Sequence, residues 1–120
     1  GEHRPAKNER YHIEFKVTDN ATQTRLPYAD VIFTATNKDT GKTVTTDLPP
    51  MWGNSGLHYS ENSTLAGDGN YIAMVTVGVP RFAREIKDKA RWSRPVSASF
   101  HFKLKNGLLS DVSVPVPASN

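Results

Sequence analysis

The chain contains no cysteine, which removes disulfides, thiolate metal ligands and a cysteine nucleophile in one stroke, without fixing the compartment. No apolar run approaches the length of about 18 residues that a membrane-spanning helix needs. A strand–nucleophile–helix elbow and a glycine-rich phosphate loop are both missing, so hydrolytic and nucleotide chemistry find no support. Asp68 and Asn70 flank Gly69, but without the spacing of an EF-hand calcium loop. Neither sign of charge dominates: 15 basic against 12 acidic residues give a formal +3. The only basic cluster, Arg81, Arg84, Lys87, Lys89 and Arg91, is interrupted by Glu85 and Asp88. It offers a patch for phosphate or lipid headgroups, or a solvated loop, and no nucleic-acid partner is expected.

What is present is β-patterning. Tyr11 to Thr18 alternates, with Tyr11, Ile13, Phe15 and Val17 on one face and His12, Glu14, Lys16 and Thr18 on the other, the pattern of a half-buried strand. Tyr28 to Thr36 is a second strand, rich in β-branched and aromatic residues, and residues 37–42 form a hairpin connection to a partner over Lys42–Thr46. A short strand is expected in Ser60–Ala66, then a tight turn at residues 67–70 and a strand over Tyr71–Val79. Pro80–Ser93 is irregular, with one helical turn expected in Arg84–Lys89. Pro95–Leu104 alternates again, with His101 facing outward; Asn106-Gly107 signals a hairpin, and Leu108–Val116 closes the chain as a last strand. Seven or eight short strands with regular turn signals predict an all-β fold, a single immunoglobulin-like antiparallel β-sandwich. The expected organisation is a flexible charged lead-in over residues 1–10, which includes His3, and one domain over residues 11–118.

One stretch does not fit that pattern. Leu48 to Tyr59 carries two prolines and two glycines, and the expectation is a folded-back loop, neither helix nor ordinary strand. Met51 and His58 stand seven residues apart within it. Brought together they would offer a soft sulfur and an imidazole nitrogen, a pairing suited to copper and related metals. The plainer alternative is a surface loop whose Met and Trp plug the end of a core. His12 and Glu14 share a strand face, roughly 6.5–7 Å apart. With the Met51–His58 loop over that face, His12, Glu14, Met51 and His58 would form one metal site, Glu14 acting as fourth ligand or as orienter. The two imidazoles should then approach within about 5 Å.

The residues from about His12 to Lys103 resemble the small periplasmic copper- and iron-binding proteins associated with high-affinity bacterial iron permeases. The similarity is carried by His12-Ile13-Glu14, Asp39-Thr40-Gly41-Lys42, Pro50-Met51 with His58-Tyr59, Gly67-Asp68-Gly69-Asn70-Tyr71, and Trp92 three residues before Pro95. The resemblance implies an immunoglobulin-like sandwich, a periplasmic location, a homodimer, and an inner-membrane iron permease as partner. Copper is the metal implied first, with iron or another divalent ion beside it, at His12, Glu14, Met51 and His58. It also implies a further histidine in the loop before the tryptophan. Here that loop holds none, and Phe82 stands near its place. Ferric reduction or ferrous oxidation through copper is conceivable in such a protein, but no second redox centre is visible, and enzyme activity is not expected. The reading of another class is a metal-free immunoglobulin-like module for a protein or glycan surface, with Arg81–Arg91 as the contact.

Overall fold

The computed structural model describes residues 11–118. The lead-in expected over residues 1–10, His3 included, lies outside them. Nine strands and one 3-10 turn make up the described chain: β1 Tyr11–Phe15, β2 Val31–Asn37, β3 Thr43–Leu48, β4 Pro50–Gly53, β5 Gly56–Ser63, β6 Gly69–Val77, the 3-10 turn Ile86–Asp88, β7 Val96–Lys105, β8 Leu108–Ser110 and β9 Val116–Pro117. All pairings are antiparallel. A small sheet runs β1-β5-β4, and a large one runs β3-β2-β6-β7-β8, with β9 on the same β7. The fold is the β-sandwich that the alternation implied.

The two sheets close on aromatic residues. Phe15 of β1, Phe33 of β2 and Phe100 of β7 form a triangle with ring centroids 6.0–6.3 Å apart. Tyr71 stacks on Phe102 at 4.8 Å. Removing side chains of this size from water stabilises the fold by about 1.5–3 kcal/mol each. Tyr59, fully buried on β5, keeps its hydroxyl satisfied at the end of the core. It donates to Leu26 O at 2.7 Å and accepts from Ala29 N at 3.2 Å, which fixes the segment leading into β2 against the small sheet.

Several expected boundaries move. β1 stops at Phe15 rather than Thr18, because the chain turns at Asp19 and pairs back on itself through Thr18 and Arg25. Tyr28 is exposed at φ 57°, outside β2, which begins at Val31. The closing strand expected over Leu108–Val116 is two short pieces, since Asp111 adopts φ 53° and breaks it after Ser110. The largest correction concerns Leu48–Tyr59. It is no irregular loop but a hairpin, with Met51 directly opposite His58 and Trp52 opposite Leu57. Proline is tolerated there because β4 is an edge strand, whose outer ladder needs no N–H. Gly56, at φ 90°, makes the tight return that a side chain would strain. The strand expected from Ser60 is the continuation of β5. So the Met51–His58 segment does not lie over β1; it extends the same sheet beside it.

Candidate metal centre

The register of the small sheet assembles the site. β1 pairs with β5 so that His12 faces Asn62 and Glu14 faces Ser60, while β4 pairs with β5 through Met51 and His58. Directly opposed residues project from the same side of a sheet, and so do residues two apart on one strand. His12, Glu14, Met51, His58, Ser60 and Asn62 therefore share the face turned away from the aromatic core. Two of them are well covered despite this, His58 at 8% exposure and Ser60 at 0%. His12 and Glu14 stand more open, and Met51 is half exposed on the edge strand.

The histidine nitrogens have distinct jobs. His58 Nδ1 lies 3.1 Å from Gly56 O. A carbonyl only accepts, so in the neutral ring Nδ1 carries the proton and Nε2 keeps its lone pair. That Nε2 stands 3.6 Å from Glu14 Oε1. His12 repeats the arrangement: Nδ1 lies 3.1 Å from Asn62 Oδ1, and Nε2 lies 3.6 Å from the same Glu14 Oε1. The two Nε2 atoms can thus be no farther apart than twice that distance. With both rings neutral, three lone-pair atoms face one another at distances beyond hydrogen-bond length. A cation relieves that arrangement. Met51 adds its sulfur from across the β4–β5 ladder, and Ser60 Oγ donates to Sδ at 3.0 Å.

Among the described residues, no three His, Asp or Glu side chains close fully around an ion. What stands there is an open half-cradle, which the partly exposed side chains of His12 and Glu14 and the thioether would have to close. Nitrogen, carboxylate and thioether donors on one face fit a copper ion or another late transition metal. Ser60, Asn62 and the Gly56 carbonyl are the neighbours of the four donors that sequence reasoning missed. The alternation of His58, Ser60 and Asn62 along β5 is the signal for the two side chains, and the prolines and glycines of residues 48–59 mask it.

A second polar cluster lies elsewhere in the chain and serves the fold. Asp19, 7% exposed, accepts from Thr22 N and Oγ1 at 2.9 and 2.7 Å, from Arg91 Nη2 at 2.7 Å and from Trp92 Nε1 at 3.2 Å. The hydrogen bonds from Thr22 and then Arg91 hold its carboxyl far below the usual carboxylate range, and Arg91 is correspondingly raised, chiefly by Asp19 and then Asp88. Arg81 pairs with Asp30 at 2.6 Å. Arg84 donates to Pro80 O and Trp92 O, both at 3.2 Å, with its guanidinium over Phe82 and Trp92. Three of the five cations in the basic cluster are therefore bound up in anchoring the loop. Phe82 packs edge-on against Trp92 at 5.3 Å and brings no donor atom. His101 is exposed on β7 and accepts nothing of this site; its backbone N–H is taken by Ser113 Oγ at 2.8 Å.

The sequence matches the family described as Fe2+ transport protein over residues 1–105. It is 30% identical over 115 residues to a UPF0423 protein of Brucella abortus, covering 82% of this chain and 63% of that relative, so the chain spans less than two thirds of the curated relative's length. Among solved structures it is similar to a copper-bound variant of FetP from uropathogenic Escherichia coli strain F11, with 25% identity, a TM-score of 0.71, and coverage of 87% of this chain and 77% of that one. FetP of the same strain, in its as-isolated form, superposes equally well, at 26% identity and a TM-score of 0.71.

Proposed function

We propose, from the premise that this chain belongs to the Fe2+ transport protein family, that it is a periplasmic metal-binding accessory protein of a bacterial iron-uptake system, holding copper at His12, Glu14, Met51 and His58. The observation that carries this reading is the convergence of two imidazole Nε2 atoms on one Glu14 oxygen, each at 3.6 Å, with a thioether opposite His58. Copper bound in relatives such as the FetP variant supports the choice of ion.

Each residue has a task that follows from its surroundings. Gly56 O and Asn62 Oδ1 hold the protons of His58 and His12 on Nδ1, so that Nε2 is the free donor in both rings. Glu14 brings the negative charge that offsets a cation and sits between the rings. Met51 supplies the soft ligand that favours the reduced ion. Bound copper would supply a one-electron couple. Phe82 gives no replacement for the further histidine implied by the resemblance, so one coordination position is left to solvent or cargo. Iron, in this reading, is the cargo delivered to an inner-membrane permease, and no catalytic group for a separate reaction is needed.

A homodimer belongs to the same proposal. Trp52 is 81% exposed on edge strand β4, beside a half-exposed Met51, and an exposed indole on an unpaired strand edge favours cover by a second copy. Protein purified without chelator, analysed for metal and then titrated with copper under light scattering, tests the whole. Near-stoichiometric copper binding, abolished by the pair His12→Ala and His58→Ala, is expected, with a particle of twice the chain mass. Absence of copper and iron binding at micromolar protein overturns the metal function, and a monomer with and without copper overturns the dimer.

A further inference from the structure

We propose that Ser60 is a positioning residue for the Met51 thioether and thereby sets the preference of the centre for reduced over oxidised copper. The inference rests on the proposed metal function of the four donors. Ser60 lies at the middle of them: opposite Glu14 across the β1–β5 ladder and two residues beyond His58 on β5. Its backbone is pinned, with N–H donated to Pro49 O at 3.1 Å, and the residue is fully buried. The Oγ therefore has little freedom, and its proton goes to Met51 Sδ at 3.0 Å.

That hydrogen bond is an unusual use of a buried hydroxyl, because a thioether is a weak acceptor. Met51 explains what is gained. It sits on an edge strand, half exposed, with three rotatable bonds. Left alone, such a chain loses substantial rotamer freedom when its sulfur is fixed. Ser60 spends its proton on one sulfur lone pair and leaves the second for a ligand. The sulfur is thus aimed at the shared face before any ion arrives. Only an ion that uses sulfur benefits: Cu(I) accepts a thioether readily, whereas Cu(II) is held mainly by nitrogen and oxygen. A serine serving merely as a satisfied core residue would affect both ions alike.

The test is a double-mutant cycle of Ser60→Ala and Met51→Leu, read by competition titrations for Cu(I) and Cu(II) and by the Met51 methyl resonance of metal-free protein. Ser60→Ala is expected to weaken Cu(I) by about five- to tenfold while changing Cu(II) by less than about twofold, as the loss of one orienting hydrogen bond predicts. The effect should vanish in the Met51→Leu background, and the Met51 methyl line should narrow in metal-free Ser60→Ala. Equal losses for the two ions, or a Ser60→Ala effect that persists without Met51, overturn the positioning role. So does an unchanged Cu(I) affinity in Ser60→Ala when Met51→Leu alone weakens it. If Met51→Leu leaves Cu(I) binding intact, the thioether is no ligand, and the proposed site fails at Met51 before Ser60 is reached.

Discussion

Replacing Asn37 by Asp changes one donor group in a fully buried side chain and should cost more stability than deleting that side chain. Asn37, at the end of β2, is 0% exposed. Its Nδ2 donates toward Ala66 O, Gly67 O and Asp68 O at 3.0, 3.3 and 3.0 Å, and its Oδ1 accepts from Asp39 N and Thr40 N at 2.9 and 3.3 Å. One amide thus stitches the 37–42 turn to the 66–69 turn. Nδ2 has two protons, so about four full hydrogen bonds are at stake, and at about 1 kcal/mol net each Asn37→Ala loses about 3–4 kcal/mol. That is a large part of the roughly 5–15 kcal/mol that holds such a domain, and it lowers Tm by about 12–20 °C at this chain length. Asn37→Asp keeps the acceptor but turns a carboxylate oxygen toward three carbonyls. Its loss at pH 7 should exceed that of Asn37→Ala. The aspartate's carboxyl, raised in the fold, then regains stability as pH falls and the acid form takes over. Urea and thermal unfolding at pH 7 and pH 5 measure both variants. An Asn37→Asp protein within about 1 kcal/mol of the native one at pH 7, or more stable than Asn37→Ala, refutes the reasoning.

Gly53→Ala should separate binding from stability. A methyl there would stand 3.1 Å from His58 Cε1, so the ring must shift by tenths of an ångström, while the unfolded-state benefit of about 0.4–1 kcal/mol offsets much of the crowding. The expected result is a Tm close to native with copper affinity lowered about tenfold; unchanged affinity would show that the ring position is not critical. The acid limb of stability should carry the mark of Asp19. Its folded pKa is lowered, so its contribution is fully present above the unfolded value of about 3.9 and fades as pH falls toward the folded one. Asp19→Asn is therefore expected to lower stability at pH 7 and to flatten the decline below pH 4; parallel native and mutant curves in acid would contradict the network at residues 19, 91 and 92.

How much of this was legible in the sequence depends on the range of the interaction that decided each part. Alternation is a local consequence of the pleat, so β1, β6 and β7 and the inward set Ile13, Phe15, Phe100, Phe102 and Leu104 could be read directly. The sandwich follows from several such strands having a single face to bury. The shared face of His12 and Glu14 was likewise local. Other features were set by partners far along the chain. The turn that follows β1 is held at Asp19 by Arg91 and Trp92, more than seventy residues on. Asp39-Thr40-Gly41-Lys42 and Gly67-Asp68-Gly69-Asn70 looked like two independent turns, and only the folded chain joins them through Asn37. Leu48–Tyr59 misled for a definite reason: proline and glycine argue against a strand only if its ladder must be complete on both sides, and an edge strand is exempt. The sequence alone determined which atoms could bind a metal, because donor chemistry belongs to single residues. Tertiary structure alone decided that Glu14 stands between His12 and His58, and that Ser60 reaches Met51, because antiparallel register is a property of paired strands that neither strand carries by itself.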